Sequence, residues 1–234
     1  MKLKGNLKVD FYKIYYLCLM NLFKIICLFT IIMFMSFFSG AQLRDYSFNA
    51  YERVFSAGMF QSLPEYQSFP DEYYHEYSRI NRFGMFTLAG WSVMNIGTGV
   101  YFQSKTTLSA LHYLWQGNVY WNVVNLGLAS VSIVSSGMNK KHDYTFQQII
   151  RKQHQTEKLF LLNTGLDVAY IFAGLYLNER AAQHDTDGKL AGYGTALMFQ
   201  GSFLLLFDAA MYVAHRLHAR HKLDPVIEKL NFIE

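Results

Sequence analysis

Four apolar stretches, each about long enough to cross a bilayer and each interrupted near its middle by a carboxamide or a carboxylate, limit what this chain can fold into. They run from about Phe83 to Phe102, Leu111 to Ser132, Leu159 to Leu177 and Tyr193 to Ala214. A hydrocarbon core about 30 Å thick needs about 20 residues at helical rise. The pattern therefore predicts an all-α fold, a four-helix transmembrane bundle made of two antiparallel hairpins. A mean hydropathy of only +0.07 keeps a secreted helical bundle as the soluble alternative. The third stretch, where only Asn163 and Asp167 are strongly polar, fits that alternative poorly.

A different hydrophobic segment opens the chain. Lys2, Lys4, Lys8 and Lys13 precede an apolar run from Ile25 to Phe38, which ends in Ser39-Gly40-Ala41 before Gln42. A basic start, a short apolar core and small residues at the cleavage positions are the marks of a signal peptide, here residues 1–41. The window that begins at Met20 is itself a complete short signal, so Met20 is an alternative start. Both cysteines, Cys18 and Cys27, precede the cleavage point. A mature chain from Gln42 would have no disulfide, thiolate metal site or cysteine nucleophile.

The net charge of +4 does not point to nucleic acid, because the basic residues lie in loops beside apolar segments, where anionic headgroups attract them. Tyr73, Tyr74, Tyr77, Tyr101, Tyr113, Trp115, Tyr176 and Tyr193 fall near segment ends, as an interfacial belt requires. The expected address is the bacterial inner, or cytoplasmic, membrane, crossed several times. Cleavage after Ala41 places the mature N-terminus outside. It leaves only Lys105, Arg180 and Lys189 of the mature cations inside, against the positive-inside rule. An uncleaved segment from Met20, inserted with its N-terminus out, would restore that rule.

Residues 42–82 form an aromatic, mixed-charge region outside the hydrocarbon. Within it Ser68-Phe69-Pro70-Asp71-Glu72 reads as a helix start that runs into the first span, since proline and acids suit a first turn. A short link at 103–110 pairs spans one and two. Asn178 to Gly192, with the turn-forming Asp185-Thr186-Asp187-Gly188, pairs spans three and four. The helical spacing of Phe146, Ile149 and Ile150 predicts that the third helix begins before its apolar part. The bundle domain covers 83–216, and 217–234 is a basic tail. A faint echo links Gly90-Trp91-Ser92 and Gly99 to Gly165-Leu166-Asp167 and Gly174, as duplicated hairpins, or mere glycine bias, would produce.

Each span carries one polar stripe. Asn118, Asn122 and Asn125 lie at i, i+4 and i+7, Asn163, Asp167 and Tyr170 repeat that spacing, and Trp91, Asn95 and Thr98 match it in span one. Span four contributes Asp208, Met211, Tyr212 and His215. Lipid satisfies no such group, so the stripes should face inward. Antiparallel packing then converges Asn95, Asn122, Asn125, Asn163, Asp167, Tyr170 and Asp208 on one ligand-binding pocket. Amides in such bundles often serve only as interhelical links. A buried carboxylate costs about 3 kcal/mol or more without a partner, and no Lys or Arg lies within the spans. Asp167 should accordingly be neutral or share a proton with Asp208. Gly165, Ala169 and Ala173 form a small-residue ridge expected to meet another helix.

No nucleotide loop, metal-ligand cluster or nucleophile triad stands out, so neither cofactor nor metal is expected. His215, His218 and His221, with His142 and His154, read as interfacial histidines rather than metal ligands.

Trp121-Asn122-Val123-Val124-Asn125-Leu126-Gly127, Glu157-Lys158-Leu159 leading to Gly165-Leu166-Asp167-Val168, and Gln200-Gly201 leading to Phe207-Asp208 resemble a family of uncharacterised small four-helix membrane proteins of Bacteroidota-type bacteria. The resemblance spans Arg79 to Arg216 and implies a domain of unknown function with no activity to carry over. The expected function is binding or transport of a small neutral or anionic solute, or a proton. The alternative is a structural or assembly component of an envelope complex, with a membrane-protein partner or a second copy. An intramembrane enzyme using the aspartates as acid and base is the third and weakest hypothesis.

Overall fold

The computed structural model describes residues 68–138 and 144–231. The expected signal peptide, the aromatic region up to residue 67, Lys140 and Lys141 lie outside the described residues. Four long helices follow one another, α1 (Phe69–Lys105), α2 (Ser109–Met138), α3 (Phe146–His184) and α4 (Lys189–His218). A π-helical turn (Ala219–Leu223) then leads into α5 (Asp224–Asn231). Among the described residues there is no strand.

Local chemistry accounts for where these helices begin. Pro70 sits in the first turn of α1 with Asp71 and Glu72, where a missing N–H costs nothing and negative charge faces the positive end of the helix dipole. Thr145 opens α3 with a capping box. Its side chain accepts from the Gln148 N–H at 3.3 Å, and Gln148 Oε1 accepts from the Thr145 N–H at 3.0 Å. Gly188 precedes α4 at φ 77, and a Cβ there would stand 2.6 Å from the Ala110 nitrogen. Conformation and space both require glycine.

Three helices are long and apolar enough to cross a membrane: α2, α3 and the α4 to α5 segment. The first of the four expected spans is not among them. Its apolar part is diluted by Gly84, Thr87, Gly90, Ser92, Asn95, Gly97, Thr98 and Gly99.

The two hairpins form as the short links require, α1 packing on α2 and α3 on α4. Between hairpins the main contact is α2 with α4, while α1 barely touches α3. α2 and α4 run parallel. Gly192 lies against the Ala110 carbonyl, and Gly117 against Tyr193 and Ala196. The echoed positions also share their facing: no atom lies near a Cβ built on Gly90 or Gly165, whereas Gly99 and Gly174 both sit in their hairpin contacts.

Within the second hairpin the backbones come close at Gly174, where a Cβ would be 2.6 Å from the Gly194 carbonyl oxygen and 2.9 Å from the Met198 nitrogen. The expected ridge of Gly165, Ala169 and Ala173 does the opposite. All three are exposed, because the α4-facing stripe of α3 is set by Asp167, Ile171 and Gly174. In the basic tail the π-helical turn and α5 carry on from α4, and Ala219, Leu223 and Ile227 are buried.

Candidate functional site

The inward stripe of α2 supplies the centre of the site. Asn118 and Asn122 are 2% and 0% exposed, so their amides must find partners inside the bundle. Asn118 Nδ2 donates to Asn95 Oδ1 of α1 at 3.0 Å, and Asn118 Oδ1 accepts from Gln200 Nε2 of α4. Gln200 Oε1 in turn accepts from Trp91 Nε1 at 3.2 Å, and Trp91 stacks on Phe203 with ring centroids 3.7 Å apart. This chain of amides ties α1, α2 and α4 together. Asn122 Nδ2 donates back to the Asn118 carbonyl at 2.8 Å, which leaves its own Oδ1 without a partner.

The carboxyl pair lies one turn or more beyond. Asp167 of α3 and Asp208 of α4 are 3% and 6% exposed and within side-chain hydrogen-bonding reach of each other, with Asn163 also reaching Asp208. Gly201 makes this meeting feasible, since a side chain there would press on the Asp167 carbonyl and Ile171. Asp167 Oδ2, Asn125 Nδ2 and Trp121 Nε1 are buried without hydrogen-bond partners. Leu88, Ala129 and Leu204 form the small apolar core beside them.

A second polar layer lies beyond the apolar part of α3. Tyr73 O–H donates to Gln153 Oε1 at 2.8 Å, and Gln153 Nε2 donates to Glu157 Oε1 and to the His215 carbonyl, both at 2.9 Å. The His215 ring is fully buried between Tyr77, at 4.9 Å, and Phe160, at 5.7 Å, and neither ring nitrogen makes a hydrogen bond. His215 follows the fourth apolar stretch, and its burial lowers its pKa to about 4, with repulsion from His218 adding to the shift. His218 stacks on Tyr73 at 4.4 Å and is also lowered by burial, against the pull of Glu76, whose carboxylate is 3.5 Å from Nδ1.

Of the expected site residues, Asn95, Asn122, Asn125, Asp167 and Asp208 are buried, while Asn163 and Tyr170 are half-buried. Tyr170 meets Trp121 edge-on at 4.8 Å rather than any carboxylate. Thr98 is exposed and bonds its own helix through the Met94 carbonyl. Ser92, fully buried, takes the inward place on that face instead. Gln200 was hidden among the small residues of α4, and Gln153 and Glu157 in the stretch that precedes the apolar part of α3. Among the described residues no group of three or more His, Cys, Asp or Glu is arranged to hold a metal ion.

Against known proteins, the model of a family of unknown function, DUF6992, matches residues 87–209. That stretch lies inside the Arg79 to Arg216 of the resemblance and contains both aspartates and the whole amide chain. No curated protein and no solved structure matches.

Proposed function

We propose a reading for a chain that belongs to the DUF6992 family, whose function is undetermined: a multi-pass protein of a bacterial cytoplasmic membrane whose buried acid pair binds a proton. The surrounding amides would accompany that proton with a small neutral or anionic solute. Support for the membrane comes from the outer surface, where Phe83, Val93, Val124, Leu128, Leu162 and Leu206 are all more than half exposed. Apolar surface on that scale needs a cover, and lipid supplies it on every side. In this reading α1 is the fourth span and turns its glycine and amide face to α2.

The observation that carries the site is the meeting of Asp167 and Asp208, with Asp167 Oδ2 and, on α2, Asn122 Oδ1 and Asn125 Nδ2 left buried without hydrogen-bond partners. Two carboxyl groups in contact away from water do not both ionise, so they hold one proton between them. The loose donors and acceptors give a small polar molecule something to bind. Arg151, Lys158, Arg216 and Lys222 on the side towards which the pair lies would draw an anion to that mouth. The test is an infrared measurement of the protonated-carboxyl band in wild type and Asp167→Asn.

The assembly-component alternative keeps one observation in its favour. The outward ridge Gly165, Ala169 and Ala173 suits a helix from another protein or a second copy better than it suits lipid. Ala169→Leu separates the two: loss of a co-purifying partner or of an oligomer favours assembly, while unchanged association favours the pocket.

A further inference from the structure

We propose that the buried layer around His215 is the port through which the Asp167 and Asp208 pair exchanges its proton with water, His215 being the relay; this rests on the proton-binding reading above. A fully buried imidazole with both ring nitrogens unbonded is the most anomalous polar group among the described residues. One of its nitrogens accepts a proton while the other gives one up, so the ring passes a proton on and ends neutral.

Its placement fits that task. Asp208, Met211 and His215 follow one another on one face of α4, and Asn163, Phe160, Glu157 and Gln153 on the facing stripe of α3. The acid pair and His215 are therefore about 10 Å apart along the helix. Met211 of α4 and Phe160 of α3, 6% and 5% exposed, lie between them along the two helices. Met211 is unbranched and adaptable, so its displacement can open a wet path where a branched side chain would stay shut.

Outward from His215 the polar groups continue to the surface. The charged and titratable groups around the two histidines are Tyr73, Glu76, Tyr77 and Arg79 of α1, Glu157 of α3, Arg216 of α4, Lys222 of the π-helical turn and Asp224 of α5. Gln153 joins Tyr73 to Glu157, Tyr73 stacks on His218, and His218 reaches Glu76, where Lys222 is 3.6 Å away. Acid and base groups thus run inward from Glu76 and His218 through Tyr73 to Glu157, and water entering this layer would complete the step to the unbonded ring of His215.

The experiment is hydrogen–deuterium exchange of the protonated-carboxyl infrared band in full-length protein, with Asp167→Asn used to assign that band. His215→Phe keeps the ring contacts with Tyr77 and Phe160 and removes both nitrogens, so exchange should slow by about tenfold or more. His215→Ala should slow it likewise and recover with added imidazole. Met211→Ala, which leaves the relay intact, should speed it. Wild-type exchange rates in both His215→Phe and Met211→Ala, with the band still lost in Asp167→Asn, would overturn the port and leave the pocket standing. A wild-type spectrum without an Asp167-dependent band would overturn both.

Discussion

Asp167 on α3 and Asp208 on α4 bring their carboxyl groups together where neither has a cationic partner among the described residues, with Gly201 holding the two helices close enough for them to meet. Both sit on stripes that the helical period turns towards the neighbouring helix.

Helix approach gives the first prediction. Gly174→Ala sets a methyl group 2.6 Å from the Gly194 carbonyl oxygen, and backbone does not step aside as a side-chain end can. The substitution should cost about 1 to 3 kcal/mol. Gly165→Ala, with nothing near its Cβ, should change little. Thermal unfolding of both variants in one detergent makes the comparison.

The amide chain gives the second. Asn118→Ala removes the donor to Asn95 Oδ1 and the acceptor for Gln200 Nε2, stranding two buried groups. A loss of about 1 to 3 kcal/mol should follow. Gln200→Leu in the same background should cost less than it does alone, a coupling that a double-mutant cycle reads directly.

The third concerns pH. The folded protein holds the His215 pKa near 4, chiefly through burial, whereas the unfolded chain titrates near the ordinary value of 6.5. The unfolded state then binds more protons between those values, so stability is full above about pH 6.5 and falls as pH drops towards 4, by about 3 kcal/mol at most. Melting temperatures across that range should fall in wild type and much less in His215→Phe.

Topology gives the fourth. If α2 and α3 each cross the membrane, reporters placed after Thr106 and after Lys141 lie on opposite sides, and one after Thr186 lies on the side of Thr106. Matching sides for Thr106 and Lys141 would show that α2 does not cross as a single span, and exposure of 83–102 to water-soluble labels would place α1 outside.

Much of this was legible from spacing. The i, i+4, i+7 register of Asn118, Asn122 and Asn125 has only one inward solution, and Pro70 with its acids marks a helix start in any context. The short links at 103–110 and 178–192 leave antiparallel neighbours as the only outcome. The parallel contact of α2 with α4 was not legible, because no loop length encodes it. It decides that Gln200 meets Asn118. Small residues occur on several faces of α3, so size alone does not distinguish the outward row of Gly165 and Ala169 from Gly174, which touches α4. On α1 a rotation of part of a turn separates Ser92 and Gly99, inside, from Thr98, outside. The stripe of span four put His215 inward, whereas Gln153 was missed because polar residues near a span end ordinarily face water, and here α1 and α3 both extend far enough to cover it.

The central claim is tested most directly by the infrared carboxyl region near neutral pH. A protonated-acid band present in wild type and lost or halved in Asp167→Asn is the predicted result. A spectrum in which the substitution removes only ionised-carboxylate signal, with no protonated acid at that pH, would contradict it.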